Sequence, residues 1–153
     1  MTIEIHLGPS GSGAICQSIL AELPDWFGIP ASNANYAKRA DDGPAWISTD
    51  AGGPVGLMLL KPHFEDTVEI DLMAVRLARH RHGVGRALMD AAEAHARARG
   101  ARFLTVKTLG PSEPYEPYER TRAFYRAIGF AALEEFTEIW GPENPTLLMA
   151  KAL

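Results

Sequence analysis

The chain has 153 residues, the length of about one domain, and is 46% hydrophobic, 22% charged and 8% aromatic. That balance excludes collagen-like, coiled-coil and wholly disordered chains. Nineteen acidic against fifteen basic residues give a net charge of −4, which argues against a general nucleic-acid or anionic-membrane binder.

The segment Met1 to Leu7 alternates Ile3, Ile5 and Leu7 with Thr2, Glu4 and His6. That pattern predicts a half-buried strand ended by Gly8-Pro9-Ser10-Gly11, and it lacks the basic lead and apolar stretch of a secretory signal. Ile15, Ile19 and Leu20 recur at helical spacing from Ala14 to Leu23, and Pro24 ends the pattern. Cys16, the one cysteine, is expected as a small core residue of that helix; no internal disulfide or CxxC metal site can form, which fits a reducing cytoplasm. A second helix is predicted over 32–38, capped by Ser32 or Asn33. Strands follow at Ala45 to Thr49 and Val55 to Leu60, joined by the turn-rich segment Asp50 to Pro54, and a third runs from Thr67 to Arg76. The apolar run from Val55 to Leu60 is far shorter than the ~20 residues of a membrane span, so a soluble cytoplasmic protein is expected.

Arg79 to Gly85 is predicted as a loop. Arg86 to Arg99 then reads as a helix closed by Gly100, with Arg86, Asp90, Glu93 and Arg97 on its polar face and Leu88, Ala91, Ala92 and His95 facing inward. A strand over 102–107, a proline-rich loop carrying Tyr115 and Tyr118, a short helix from Thr121 to Ile128 and strands at Phe130 to Trp140 and Thr146 to Ala152 complete the chain. With no repeat and no long linker, residues 1–153 read as a single α/β (α+β) domain in the order β-α-α-β-β-β-α-β-α-β-β.

The segment Arg81-His-Gly-Val-Gly-Arg86 stands between a strand and a helix. Its glycines admit close backbone approach, and a helix start offers unpaired N–H groups and the positive end of the dipole, so phosphate binding is expected. Leu88 stands where a dinucleotide fingerprint needs a third glycine, and no Gly-Lys-Ser/Thr ending is present, so neither nucleotide loop applies. His80 and His82 alone do not make a metal site, and no metal is expected.

Glu69-Ile-Asp-Leu-Met-Ala-Val75, then Gly83-Val-Gly85 with Leu88, and then Thr121-Arg-Ala-Phe-Tyr-Arg-Ala-Ile-Gly-Phe130 together resemble the GNAT superfamily of acyl-CoA-dependent N-acetyltransferases. The motifs cover about residues 67 to 131, and the resemblance implies a mixed, twisted, mostly antiparallel sheet flanked by helices. It implies an acetyl-CoA site at Arg81, His82, Gly83, Val84, Gly85 and Arg86, with the strand end at Met73, Ala74 and Val75 beside the pantetheine arm. Two positions depart from the family pattern. His80 stands where Gln or Arg is usual, and Tyr118 stands where many members carry a cofactor-binding Asn. Small members of the family are often homodimers.

Direct transfer to an amine needs a base for the nitrogen proton and an acid for the departing thiolate. Tyr125 falls at the family's general-acid position. Glu69 falls where several members carry a base, and burial is expected to raise its pKa. Asp71 and His63, the latter expected in a loop, are the other candidates for the base. Trp26, Phe27, His63, Asp71, Tyr115 and Tyr118 are candidates for the acceptor site. Acids at Glu65, Asp66, Glu69, Asp71, Glu113, Glu116 and Glu119 favour a small cationic amine. A peptide or lysine amine is the competing acceptor, and a non-catalytic acyl-CoA-binding module is the competing class.

Overall fold

Each strand and helix forms where hydrophobic spacing, prolines and glycines direct, and the computed structural model describes residues 2–8 and 10–153. Met1, and Pro9 of the first predicted turn, lie outside the described residues. The elements are β1 (Glu4–Gly8), α1 (Gly13–Ala21), α2 (Pro30–Asp42), β2 (Ala45–Asp50), β3 (Gly53–His63), β4 (Thr67–Val75), a 3-10 turn (Leu77–Arg79), α3 (Val84–Ala98), β5 (Phe103–Leu109), α4 (Glu116–Ile128), β6 (Ala131–Phe136) and β7 (Thr146–Ala152). The strands form one seven-stranded sheet in the order β1-β2-β3-β4-β5-β7-β6. The β4–β5 pair is parallel, and β1–β2, β2–β3, β5–β7 and β6–β7 are antiparallel. This is the mixed, mostly antiparallel α/β arrangement that the sequence implied. No helix among the described residues is long and apolar enough to cross a membrane.

The chain divides into two compact units, Met1–Leu60 with Asp71–Ala94, and Lys61–Ile70 with His95–Leu153. In the first, Cys16, Ile19, Leu20 and Leu23 pack with Ala40, Ala45, Ile47, Leu57, Leu59, Leu72 and Ala74. Cys16 is a buried core residue, and burial pushes its thiol up to about 11. Gly56 of β3 lets α3 approach closely, because a Cβ built there would meet Val84 Cγ1 and Leu88 Cδ1, both at 3.2 Å. In the second unit, Leu104 and Val106 of β5 and Leu147 and Met149 of β7 are buried, with Val106 directly opposite Met149 in the ladder. Gly129, at φ +112°, ends α4 in the left-handed conformation, and its N–H bonds to Arg126 O.

Several predicted boundaries move, for local reasons. Pro30 sits in the first turn of α2 after an extended Ile29, so neither Ser32 nor Asn33 caps the helix, and the Asn33 amide instead donates to Phe27 O at 2.8 Å. Pro117 likewise occupies the first turn of α4, with Glu116 and Glu119 beside it. A proline costs no hydrogen bond there and acids favour a helix start, so α4 begins five residues before Thr121. Tyr118 is therefore helical, and Tyr115 is the residue preceding the helix. The β3 strand continues to His63, which is not in a loop. Val84 and Gly85 belong to the first turn of α3 and not to the preceding loop. The inward face of α3 carries Val84, Leu88, Met89, Ala92 and Ala96, while Ala91 and His95 are only half-buried. β6 stops at Phe136, short of Trp140, and Leu7 of the edge strand β1 is exposed rather than inward.

Candidate active site

In the first unit, the segment from Arg76 to Arg86 holds four arginines and no acid, but folding removes two of them from service. Arg76 pairs with Glu22 and donates to Pro54 O at 2.8 Å, and Arg79 Nε donates to Asp50 Oδ2 at 2.6 Å. That bond from Arg79 and one from the Gly52 N–H hold the Asp50 carboxyl below the usual carboxylate range. Arg81 and Arg86 have no carboxylate partner among the described residues. His80 Nε2 lies 2.8 Å from Val75 O, with the Trp26 ring edge-on at 5.5 Å, and fastens the turn to the end of β4, where Met73, Ala74 and Val75 lie. His82 Nδ1 lies 2.8 Å from His80 O.

The backbone of this turn is strained towards an anion-binding shape. Arg81 and Gly83 both have left-handed φ, +63° and +83°, and nothing lies within 4 Å of where a Gly83 Cβ would stand. The Ala87 N–H makes the first helical bond, to Gly83 O at 3.0 Å. The N–H groups of Val84, Gly85 and Arg86 therefore have no acceptor inside the helix and collect at its positive end. Such an array, flanked by two guanidinium groups without a carboxylate partner among the described residues, fits a pyrophosphate.

The second unit carries a different cluster. Glu69 of β4 is opposite Thr105 of β5 in a parallel pair, so Lys107, two residues further, shares its face of the sheet. Lys107 Nζ donates to Glu69 Oε2 at 3.1 Å, and His63 Nε2 lies 2.6 Å from Glu69 Oε1. Burial alone pushes the Glu69 pKa up, but the hydrogen bonds from His63 and Lys107, together with the Lys107 charge, outweigh it and hold the carboxyl below its ordinary range. The expected rise in its pKa is thus reversed. Because the folded value is lower than the unfolded one, Glu69 adds stability at neutral pH that is lost as pH falls through the folded pKa. Glu69→Gln is therefore expected to flatten the acid limb of a stability-against-pH curve from urea melts; an unchanged acid limb would contradict this.

Tyr125 lies on α4 with 5% exposure, its ring edge-on to Phe124 at 5.5 Å and Phe130 at 5.4 Å. One turn earlier on the same helix, the buried Arg122 donates to Leu109 O at 2.6 Å and ties α4 to the end of β5. Tyr115 and Tyr118 stand 6.2 Å apart. The remaining candidates belong to the first unit. Phe27 packs edge-on to Tyr36, Arg39 lies over the Tyr36 ring at 4.8 Å, and Arg39 Nε donates to Asp71 Oδ2 at 2.7 Å. The Asp71 carboxylate is thus already engaged. Lys107, Arg39 and Asp50 escaped sequence reasoning, since each acts on a residue distant in the chain. Among the described residues no group of three His, Cys, Asp or Glu side chains is arranged to hold a metal ion.

A model of the acetyltransferase (GNAT) family matches residues 14–130. No curated protein matches the chain. Among solved structures, the chain is similar to a GNAT-family chain from Desulfovibrio desulfuricans at 18% identity and TM-score 0.86, with 99% of each chain covered. It is also similar to a GNAT-family acetyltransferase from Elizabethkingia anophelis with acetyl-CoA bound, at 18% identity and TM-score 0.75, covering 99% of this chain and 98% of that one. An aminoglycoside 6'-N-acetyltransferase complexed with coenzyme A is similar at 16% identity and TM-score 0.72, covering 99% and 97%. These likenesses establish the fold, and the family model spans most of the chain, from α1 to the residue before β6; the chain therefore belongs to the GNAT acetyltransferase family and is an acyltransferase.

Proposed function

We propose that this acyltransferase moves an acetyl group from acetyl-CoA directly to a primary amine, within one catalytic domain spanning residues 1–153. The observation that carries the reading is the segment from Arg81 to Arg86, with two left-handed residues, three N–H groups at a helix start and two arginines without acidic partners among the described residues. Acetyl-CoA supplies the acyl group as a thioester. In this reading Gly83, Val84, Gly85 and Arg86 hold its pyrophosphate through backbone N–H groups, and Arg81 and Arg86 add charge-assisted bonds. Tyr125 donates a proton to the departing sulfur, and the cluster around Glu69 takes the proton of the attacking nitrogen. Exposed Glu65, Asp66, Glu113 and Glu119, none with an ion-pair partner among the described residues, support a small cationic acceptor by attraction.

A ligand that binds only the folded state must stabilise it, by about 2.7 kcal/mol at a hundred times its Kd. Acetyl-CoA is expected to raise the melting temperature, and NAD to leave it unchanged. The double variant Arg81→Gln with Arg86→Gln should bind acetyl-CoA about tenfold or more weakly, with a shallower salt dependence, as expected for lost phosphate contacts. No stabilisation of the parent by acetyl-CoA would remove the reading. A panel of polyamines, aminoglycosides and peptide N-termini, read as CoA thiol release, then ranks the acceptors.

A further inference from the structure

Resting on the acetyl-transfer reading, we propose that the atom taking the amine proton is Nδ1 of His63, and that Glu69 is a positioning residue rather than the base. Both oxygens of Glu69 are engaged, Oε1 by His63 and Oε2 by Lys107. Each oxygen keeps a second lone pair, but a proton taken there would neutralise the carboxylate and weaken both bonds. Its side chain is only 9% exposed, whereas that of His63 is 36% exposed, so the imidazole is the accessible end of the pair.

The tautomer follows from the partner. Glu69 is held below the ordinary carboxylate range and is ionised at neutral pH, and an ionised carboxylate only accepts hydrogen bonds. Nε2 of His63 therefore carries the hydrogen, and Nδ1 is left with the free lone pair. That second nitrogen makes no hydrogen bond among the described residues. A histidine whose ring is oriented by a carboxylate on one nitrogen and open on the other is the arrangement that suits a general base near neutral pH. The charged groups facing the ring are Glu69 from β4 and Lys107 beyond it from β5. Once His63 takes a proton, the imidazolium stands against the Glu69 carboxylate, which also accepts from Lys107.

The backbone beside His63 adds an independent observation. Phe64 has φ +56°, a left-handed conformation that aromatic residues rarely adopt, yet its ring is 97% exposed. Packing of that ring gives no reason for the strain. Its effect is to turn the chain sharply between the end of β3 and the start of β4, which brings His63 back to Glu69, six residues on.

In the transfer, the nitrogen–carbon bond forms at the acetyl carbonyl carbon as the carbon–sulfur bond breaks. One proton of the amine nitrogen passes to His63 Nδ1 and then to water. The sulfur takes the Tyr125 hydroxyl proton, which water replaces, so the products are the acetamide and CoA thiol.

The test uses the whole chain as parent, His63→Ala and Glu69→Gln, assayed as CoA thiol release from saturating acetyl-CoA with spermidine, tyramine and kanamycin as probe amines. His63→Ala is expected to lower kcat about 10²-fold or more, to keep acetyl-CoA affinity, and to be partly rescued by added imidazole. Glu69→Gln is expected to lower kcat without rescue. Nitrogen NMR of the resting parent should show the His63 hydrogen on Nε2. A full rate in His63→Ala alongside a large loss in Glu69→Gln makes Glu69 the base and overturns the proposal, as does a lost rate that imidazole does not restore. An Nδ1–H tautomer overturns it whatever the assay shows, whereas a parent that fails to bind acetyl-CoA removes the acetyl-transfer reading itself.

Discussion

Tyr125→Phe is expected to lower kcat for acetyl transfer by about 10²-fold or more, the usual worth of a positioned proton donor, while leaving the fold intact. The phenol ring is 5% exposed and packs edge-on against Phe124 and Phe130, and its backbone carbonyl accepts from the Phe130 N–H at 3.0 Å. Phe keeps the ring and every one of those contacts, and Gly129 still ends the helix in its left-handed conformation. A large loss of rate with a small change in melting temperature therefore isolates the hydroxyl. The measurement is CoA thiol release under saturating acetyl-CoA, beside a thermal melt and an acetyl-CoA titration. A rate within about twofold of the parent, far short of what a proton donor contributes, would make Tyr125 only a packed aromatic.

Gly56→Val is expected to destabilise the first unit. A Cβ at this position would stand 2.5 Å from the buried Ser48 Oγ and 3.2 Å from both Val84 Cγ1 and Leu88 Cδ1. No side chain fits without moving a neighbour, and Ser48, Val84 and Leu88 are themselves buried. Overpacking of this kind costs about 1–3 kcal/mol, which lowers the melting temperature by several degrees in a chain of this size. The displaced element is the first turn of α3, so acetyl-CoA affinity is expected to fall about tenfold or more at temperatures where the variant is still folded. Such a displacement of about 1 Å is enough to misalign the N–H groups of Val84, Gly85 and Arg86. Gly56→Ala should move both quantities in the same direction by less. An unchanged melting temperature would show that β3 and α3 have room that the geometry denies them.

Gly56 also illustrates how much was legible beforehand. In the sequence it is a glycine inside an apolar run, and only the approach of Val84 and Leu88 gives it a purpose. The glycines of the turn before α3 are legible in the sequence, because a left-handed Gly83 and a helix start both leave local signatures. The start of α4 is hidden in the sequence, where Pro114 and Pro117 look alike although Pro117 falls in a helical first turn. The strand pattern ends in Lys61 and Pro62, so spacing alone puts His63 in a loop, whereas an exposed strand end tolerates both residues.

Local spacing and residue type by themselves determined the order of the elements, the turn from Arg81 to Arg86, the position of Tyr125 on the last helix and the family resemblance that those motifs carry. These are properties of neighbours along the chain, and hydrophobic period, glycine and proline report them directly. Charge was decided only in three dimensions. Arg79 lies in the same basic stretch of sequence as Arg81 and Arg86, but Asp50, twenty-nine residues away, takes its guanidinium. Glu69 is expected from sequence to have a raised pKa, but hydrogen bonds from His63 and from Lys107, the latter thirty-eight residues away and on the same face through the parallel β4–β5 register, lower it. The balance between desolvation and pairing depends on which opposite charge folding brings within a few ångströms, and no periodicity in the chain records that.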